Sequence, residues 1–286
     1  MSNGNAERVI SLVPEGKHHR VRGDRKVILS GVALEILSTR MIELTEWKLS
    51  GLNDPFWRLY LPIRGMAAVR CDPDSPTSKV VKLRSGKAYL IPPHTTVYSR
   101  IETAPFHKWY IHFTLGQRGD RALPGVYQVE YTAKMQEIIE SFSAQNPPTY
   151  PWESVTLVGE SISQLAETIW SSRAVDPRVE QAMDFMYMNL SRKLVVAEIA
   201  TAAGVSVRTL THLFRQDLDN SPMNVMAEFR INHACRLLRH TDHTIEQIAE
   251  DCGFPNRHYL SRMMKKVRSI SPAAYRDGGL GPANHS

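Results

Sequence analysis

The spacing of apolar residues changes near residue 131, and this change divides the sequence into two kinds of structure. Before it, short apolar runs stand between prolines and glycines, as at 57–70, 79–93 and 109–113. Such runs, rich in aromatic and β-branched residues, predict the strands of a sandwich or small barrel. We expect two short strands around a glycine in 57–70, and two strands with a turn at Ser85-Gly86 in 79–93.

After residue 131 the apolar residues follow helical spacing. Segments 134–144 and 154–170 predict two helices, separated by a proline-rich break at 146–151. The second predicted helix carries one apolar stripe, formed by Leu157, Ile162, Leu165 and Ile169. This stripe either packs against the β-rich part or forms a dimerisation surface; packing is favoured, and the two roles can coexist.

From Val196 onward the sequence states one pattern twice. Apolar and glycine positions recur 49 or 50 residues later, pairing Ile199 with Ile248, Gly204 with Gly253, Leu210 with Leu260 and Phe214 with Met264. The one extra residue falls in the turn just after the second glycine. A short helix, a glycine turn and a second helix, stated twice, predict two helix-turn-helix units at about 195–217 and 244–267.

Capping residues and a long apolar stripe complete the predicted helical part, which spans 178–276. Ser206 is expected to cap the helix after the first glycine, and Thr244 with Gln247 matches a capping box. Segment 221–241 predicts one continuous helix that links the two units. Arg230 and Arg236 on this helix are open to structural or phosphate-binding roles, with the structural role favoured for Arg230.

The second helix of each unit has a polar face opposite its apolar face. In both copies this outer face carries Arg, His, Ser, Thr or Lys at helical spacing and no acidic residue at these positions. Such side chains read base edges in the major groove or hold phosphates. The candidates for base contacts are Arg208, Thr211, His212, Arg257, His258, Ser261 and Arg262. The candidates for phosphate contacts are Arg215, Lys265, Lys266 and Arg268.

Length, composition and charge set outer bounds on this interpretation. A chain of 286 residues with 42% hydrophobic and 22% charged residues is typical of a folded protein of two domains. The net charge of +6 permits binding to a polyanion without establishing it. We find no apolar run of membrane-spanning length and no signal-peptide core at the N-terminus, so a cytoplasmic location is expected. Three cysteines, Cys71, Cys235 and Cys252, have neither disulfide-like nor metal-like spacing.

The repeat resembles the DNA-binding domain of the AraC/XylS family of bacterial transcription regulators. The resemblance rests on segments at 199–214, 230–238, 248–266 and 271–276, which fall in the family's order and spacing over about 100 residues. It implies two helix-turn-helix units on double-stranded DNA and sequence-specific control of transcription, with activation more common than repression. RNA polymerase is an expected partner. The sequence departs from the family pattern at Val195, Asp219, Pro255, Met264 and Ser269.

The N-terminal part is similar, more loosely, to the cupin-like sensory domains of many such regulators. The motifs are G.AYLIPP at 86–93, a following His-Thr, and WYIHF at 109–113. The resemblance implies a small-molecule sensor, often for sugars or related metabolites, with adjacent helices for a homodimer. The expected fold is therefore multi-domain, with a mainly-β cupin-like barrel and helices at about 132–171 in residues 1–172. A linker at 173–177, an all-α domain at 178–276 and a flexible tail at 277–286 follow.

A metal-dependent cupin enzyme fused to a DNA-binding domain is the main rival for the N-terminal half, and a regulator without a small-molecule effector is another. His94, His107 and His112 lack the His-x-His spacing of a metal cupin, and His18-His19 reads as a loop. We therefore expect no metal, no cofactor and no catalytic residues. A ligand pocket is expected to use aromatic side chains, although core packing is the simpler role for each. The candidates are Trp47, Trp57, Tyr60, Tyr89 and Trp109, together with Tyr110.

Overall fold

The N-terminal part is built on one antiparallel sheet. A computed structural model describes residues 27–29, 32–71, 79–143, 151–170 and 175–277. The strands are β1 (Val27–Leu29), β2 (Val32–Leu44), β3 (Leu49–Leu52), β4 (Trp57–Cys71), β5 (Val80–Leu83), β6 (Lys87–Ile91), β7 (Val97–Thr114) and β8 (Tyr127–Glu130). They lie in the order β1-β2-β7-β4-β6-β8, with β3 beside β7 and β5 beside β4. His18-His19, residues 173–174 of the expected linker and residues 278–286 of the expected tail lie outside the described residues.

Two long strands fold this sheet over an enclosed core. The first half of β4 pairs with β6 and the end of β7, and its second half pairs with β5 and the start of β7. The expected break in 57–70 is therefore one continuous strand, bent at Gly65, which has φ +75. A side chain there would collide with the carbonyl oxygen of Pro105, so the bend requires glycine. Buried side chains from both halves meet in one cluster, which confirms the expected mainly-β N-terminal domain.

Helices cover the outer face of the sheet. The elements are α1 (Gly116–Gly119), α2 (Ala133–Ser143), α3 (Pro151–Ile162) and one 3-10 turn (Glu167–Ile169). The expected helix over 154–170 is thus wrong in its second half, because the α-helix ends at Ile162. Leu157 is fully buried against the sheet, and Ile162 and Leu165 pack on the same core. The packing role of the apolar stripe is confirmed, and a dimerisation role for it stays a prediction.

The C-terminal part consists of helices with short connections. They are α4 (Pro177–Met188), α5 (Val196–Ala202), α6 (Val207–Leu218), α7 (Pro222–His240), α8 (Ile245–Asp251), α9 (Arg257–Arg268) and α10 (Pro272–Asp277). The pairs α5–α6 and α8–α9 are the two helix-turn-helix units. Both turns pass through glycines in the left-handed region, Gly204 at φ +66 and Gly253 at φ +68, as the repeat predicted. No helix within the described residues is long and apolar enough to cross a membrane.

The helix α7 is shared by both units. Val225 and Met226 near its start belong to the core of the first unit, and Ala234 and Leu238 further on belong to the core of the second. Matching positions of the repeat are also buried alike, since Phe214 in the first unit and Met264 in the second are both fully buried. One continuous helix therefore holds the two units in a fixed relation, as the sequence predicted.

Capping explains where most of these helices begin. Side chains of Asp176, Ser206, Ser221, Thr244 and Asn256 each accept a hydrogen bond from a backbone N–H of the first turn. The extra residue of the second copy moves its cap to Asn256, three residues after the glycine rather than two. The helices α6 and α9 both end on non-glycine residues in the left-handed region, Asp219 at φ +52 and Ser269 at φ +58. Glycine is the residue most often found in this conformation at the end of a helix.

One cap is incomplete. The backbone N–H of Val195 donates to Glu198 Oε2 at 3.0 Å, but the valine side chain has no oxygen to return a bond to the helix. Thr244 and Gln247 make both bonds at the equivalent place in the second copy. We therefore expect Val195→Thr to raise the free energy of unfolding by about 1 kcal/mol, measured by urea denaturation.

The control for this prediction is Val195→Ala, which also removes the exposed valine but adds no acceptor. Equal stabilisation by both variants would assign the gain to the loss of exposed apolar surface, and not to capping.

Candidate nucleic-acid interface

The helix α6 has an exposed cationic face, and the spacing of its apolar residues fixes which side chains form it. Leu210, Leu213 and Phe214 are buried in the core of the first unit, which turns Arg208, His212 and Arg215 outward. These three side chains are exposed. Thr211 is half-buried, and its hydroxyl donates to the carbonyl of Val207 at 2.8 Å. The hydroxyl oxygen remains an acceptor for a donor from outside.

The helix α9 repeats this arrangement. Leu260 and Met264 are fully buried, and five candidate residues are exposed, namely Arg257, His258, Arg262, Lys265 and Lys266. Ser261 is half-buried. Arg257 lies 3.9 Å from a Glu246 carboxylate, but both side chains are 61% exposed, so solvent weakens this pair. The Arg262 guanidinium lies over the Tyr259 ring at 4.7 Å, which orients it at the surface.

Arg268 is the exception among the candidates for phosphate contacts. Its guanidinium donates to Asn232 at 2.6 Å and to Asn53 of the β domain at 3.3 Å, and it contacts His94 at 3.3 Å. Burial and the neighbouring Arg268 and Arg236 lower the pKa of His94 to about 4, so this ring is neutral at pH 7. A phosphate contact by Arg268 stays a prediction and would require the loss of these bonds.

The contact between the domains centres on Asp54, a buried carboxylate of the loop before β4. Its Oδ1 accepts a hydrogen bond from the Tyr275 hydroxyl at 2.6 Å and lies 3.4 Å from Arg239 Nε. Its Oδ2 lies 3.8 Å from Arg58 Nη1 within the β domain. Asp54 thus joins the second helix-turn-helix unit to the barrel in addition to Arg268, and the sequence alone did not predict this contact. Asp54 carries no local motif that would reveal a partner 221 residues away.

A cavity of about 360 Å³ opens next to this contact. His94 and Asp120 line it from the β domain, and Met183, Phe229 and Arg236 line it from the helical domain. Burial raises the pKa of Asp120 to about 7. Arg236 is buried and lies over the Tyr187 ring, and Arg230 donates to the carbonyls of Leu190 and Arg192. Both arginines therefore have structural roles, as favoured for Arg230.

The structure divides the aromatic ligand candidates between two cores. Trp57 and Trp109 face the covering helices, and their indole N–H groups donate to Gly119 O and Thr39 Oγ1. Trp47, Tyr60 and Tyr89 face the enclosed core with Tyr110. Only this second group lies inside the barrel, together with buried Arg58 and Lys108, which sequence reasoning did not select. The sequence could have indicated them, because Arg58 and Lys108 each interrupt a strongly apolar strand, β4 and β7.

The three histidines considered for a metal lie apart from one another. His107 pairs with Glu43 at 2.5 Å, His94 lies at the domain contact, and His112 faces His240 across 5.2 Å between ring centroids. Over the described ranges, no group of three His, Cys, Asp or Glu side chains is arranged to hold a metal ion.

Comparison with known proteins agrees with this geometry. Residues 199–278 match the family described as "Helix-turn-helix domain". A putative AraC-like transcription regulator of Streptomyces antibioticus is 31% identical over 107 residues, 37% of this chain and 35% of that protein. The HTH-type transcriptional activator RhaS of Enterobacter sp. (strain 638) is 29% identical over 103 residues, 36% of this chain and 37% of that protein. The matched stretch thus spans about a third of the length of these curated relatives.

A solved structure extends the likeness to the β domain. ToxT from Vibrio cholerae covers 86% of this chain and 98% of its own, with a TM-score of 0.51 and 12% identity, which shows the fold alone. A bent β domain followed by two helix-turn-helix units on one linking helix defines the class of two-domain helix-turn-helix proteins. Through residues 199–278 the chain carries this helix-turn-helix domain, and its C-terminal part is similar to AraC-like transcription regulators.

Proposed function

We propose that this protein is a sequence-specific, DNA-binding transcription regulator that responds to a small molecule. The observation that carries the proposal is the pair of exposed cationic faces on α6 and α9, held by one linking helix. In this proposal each helix enters a major groove of double-stranded DNA, and its first turns meet the base edges.

The length of the linking helix supports binding to successive grooves. With 19 residues, α7 is about 28 Å long. Successive major grooves on one side of a duplex lie about 34 Å apart. Since both ends of α7 are fixed in separate cores, the two recognition helices cannot approach one another to share a single groove. We therefore propose a footprint of two contact zones one helical turn apart.

We expect Arg208→Ala and Arg262→Ala each to weaken binding to the cognate site by about 1–3 kcal/mol, roughly 5- to 150-fold. Each removes an exposed guanidinium that donates to a guanine edge in this proposal, and neither side chain supports a core. The site is first obtained by selection from random duplexes followed by sequencing. Affinities are then measured by fluorescence anisotropy at one fixed salt concentration.

The matched control is Arg178→Ala, which removes the same charge from an exposed arginine that is paired with Asp176 on α4. It is expected to change affinity little. Unchanged affinity in both Arg208→Ala and Arg262→Ala would contradict the proposed groove orientation. A footprint with one protected groove would mean that a single unit reads the DNA.

The cavity between the two domains supports the proposed response to a small molecule. A ligand in the barrel or in the cavity beside α7 would contact the helix that links the reading units, and so bias the domain arrangement. Thermal-shift screening with metabolites tests this, because a ligand that binds only the folded state raises Tm. No shift with any metabolite would favour a regulator controlled by a protein partner or by abundance.

Activation, RNA polymerase as a partner and a homodimer belong to the same proposal. The relative RhaS is named an activator, which favours activation here. Trp152 on α3 is 56% exposed and is therefore the position at which a dimer contact through this helix is tested. Sedimentation of the full chain and of Trp152→Ala tests the dimer.

Stoichiometric metal in the purified protein would instead favour the cupin enzyme.

A further inference from the structure

A row of basic side chains lies inside the barrel, where side chains are normally apolar. Alternate residues of β4 and β7 point to the enclosed core, and the two strands pair so that Arg58 stands opposite His112 and Tyr60 opposite Tyr110. Lys108 follows on the same face of β7. Arg58 and Lys108 are 0% exposed and His112 is 7% exposed. Burying such charges without partners is strongly unfavourable.

These buried groups have donors that no acceptor meets. Lys108 Nζ has no hydrogen-bond partner and lies 3.3 Å from the Trp47 ring centroid and 4.1 Å from that of Tyr60. Arg58 donates once, to Thr95 O at 2.9 Å, which leaves its Nε and Nη1 without hydrogen bonds. Trp47 Nε1 and His112 Nδ1 also have none. Several donors therefore converge on one place without a hydrogen bond, since Asp54 Oδ2 lies 3.8 Å from Arg58 Nη1.

The charges around this place do not balance. Besides Arg58, Lys108 and His112, the helix α7 brings Arg239 and His240 against it. The acid that faces them is Asp54, whose Oδ1 engages Tyr275 and Arg239 and whose Oδ2 lies 3.8 Å from Arg58 Nη1. Burial and four cationic neighbours lower the pKa of His112 well below its usual value. Burial and Arg58 likewise lower the pKa of Lys108. These lowered pKa values favour the neutral forms of Lys108 and His112 beside the Arg58 guanidinium.

The cavity between the domains is different, because its charged groups already have partners. Asp120 accepts from the backbone of Leu115 at 2.8 Å, and Arg236 lies over the Tyr187 ring. Inside the barrel Lys108 Nζ and Arg58 Nε have no hydrogen-bond acceptor, so a ligand with an acceptor gains there.

We propose that the barrel interior binds the carboxylate of a small organic acid, held between Lys108 and Arg58, with the faces of Trp47 and Tyr60 against its apolar body. This deepens and rests on the proposed response to a small molecule, since it names the class of effector. Because the Lys108 side chain is flexible, its amine can move away from the Trp47 ring. The exposed ring face then contacts the ligand. Arg239 and His240 carry the change in charge to α7, and so to both reading helices.

The test compares charged probes with neutral ones of the same shape on the full chain. Sodium acetate, butyrate and phenylacetate are titrated against acetamide, butyramide and phenylacetamide at constant ionic strength. Tm and Trp fluorescence are recorded. We expect at least one carboxylate to raise Tm saturably and to change the fluorescence, while its amide does neither. Equal shifts with an acid and its amide, or no shift with any of the three acids, would overturn the inference.

Lys108→Met separates a binding role from a structural one. If the amine is kept for a ligand, the unliganded variant has a higher Tm than wild type, because an apolar side chain replaces an unpartnered polar one. The same variant loses the carboxylate shift. Lys134→Met, at an exposed lysine of α2, keeps the shift and serves as the matched control. A Lys108→Met variant with a lower Tm and an undiminished carboxylate shift would refute the inference.

Binding to the selected DNA site is measured on the same samples without any acid. If DNA binding persists while no acid binds, only the present inference fails. If DNA binding itself is absent, the proposed regulator function fails, whatever the acids do.

Discussion

Replacing Asp54 with alanine is expected to lower the free energy of unfolding by about 3–5 kcal/mol. The carboxylate is 2% exposed and lies within 4 Å of two guanidinium groups, those of Arg239 and Arg58. Without it, both cations remain in a buried place that already has too much positive charge. The Tyr275 hydroxyl also loses its acceptor. Urea denaturation followed by tryptophan fluorescence measures the loss.

Tyr275→Phe is the comparison that separates charge from hydrogen bonding. It removes one donor and leaves Asp54 with both arginines, so a smaller loss of about 1–2 kcal/mol is expected. Because the two residues lie in different domains, the double variant measures the coupling between the domains directly. A loss below about 0.5 kcal/mol for Asp54→Ala would show that the domains do not dock in solution as they do here.

The second large effect is expected at Gly253, where valine should destabilise the chain by more than about 3 kcal/mol. The residue has φ +68, which costs any L side chain energy. A Cβ there would lie 2.5 Å from the carbonyl oxygen of Leu190 and 3.0 Å from the carbonyl carbon of Ser191. Since both neighbours are backbone atoms, neither can turn away. The fold of the second unit must therefore shift.

Gly204→Val is the matched variant in the first unit. Gly204 has nearly the same φ, +66, but open space where a side chain would be. It should cost only the conformational energy, about 1–2 kcal/mol. Denaturation curves of both variants give the order of the effects. Equal losses would mean that the contact with Leu190 is absent, and a wild-type melting curve for Gly204→Val would contradict the turn itself.

The repeat made most of the helical domain predictable. Its caps at Ser206 and Thr244, its glycine turns and its two-sided helices depend on contacts within a few residues, which local sequence specifies. The departures noted in the sequence also had structural consequences. Val195 leaves a cap incomplete, and Ser269 adopts the left-handed conformation that glycine usually takes.

The β domain was less predictable, because its contacts join residues far apart in the chain. Alternation in β4 and β7 indicates that Trp57 and Tyr60 face opposite ways, but it does not say which face is enclosed. The bend at Gly65 and the end of α3 at Ile162 were missed for the same reason. Both depend on what packs against the segment rather than on its own residues.

The sequence by itself determined the helices α6 and α9, the helix α7 that links their units and the residues on the outer faces of α6 and α9. Periodicity and capping act over one or two helical turns, so residues close together in the sequence determine these features. Only the tertiary structure decided that Arg268 turns to the β domain, that Asp54 joins Tyr275 over 221 positions, and that Lys108 is enclosed with Arg58. Such contacts arise from strand pairing and domain docking, which no local pattern encodes.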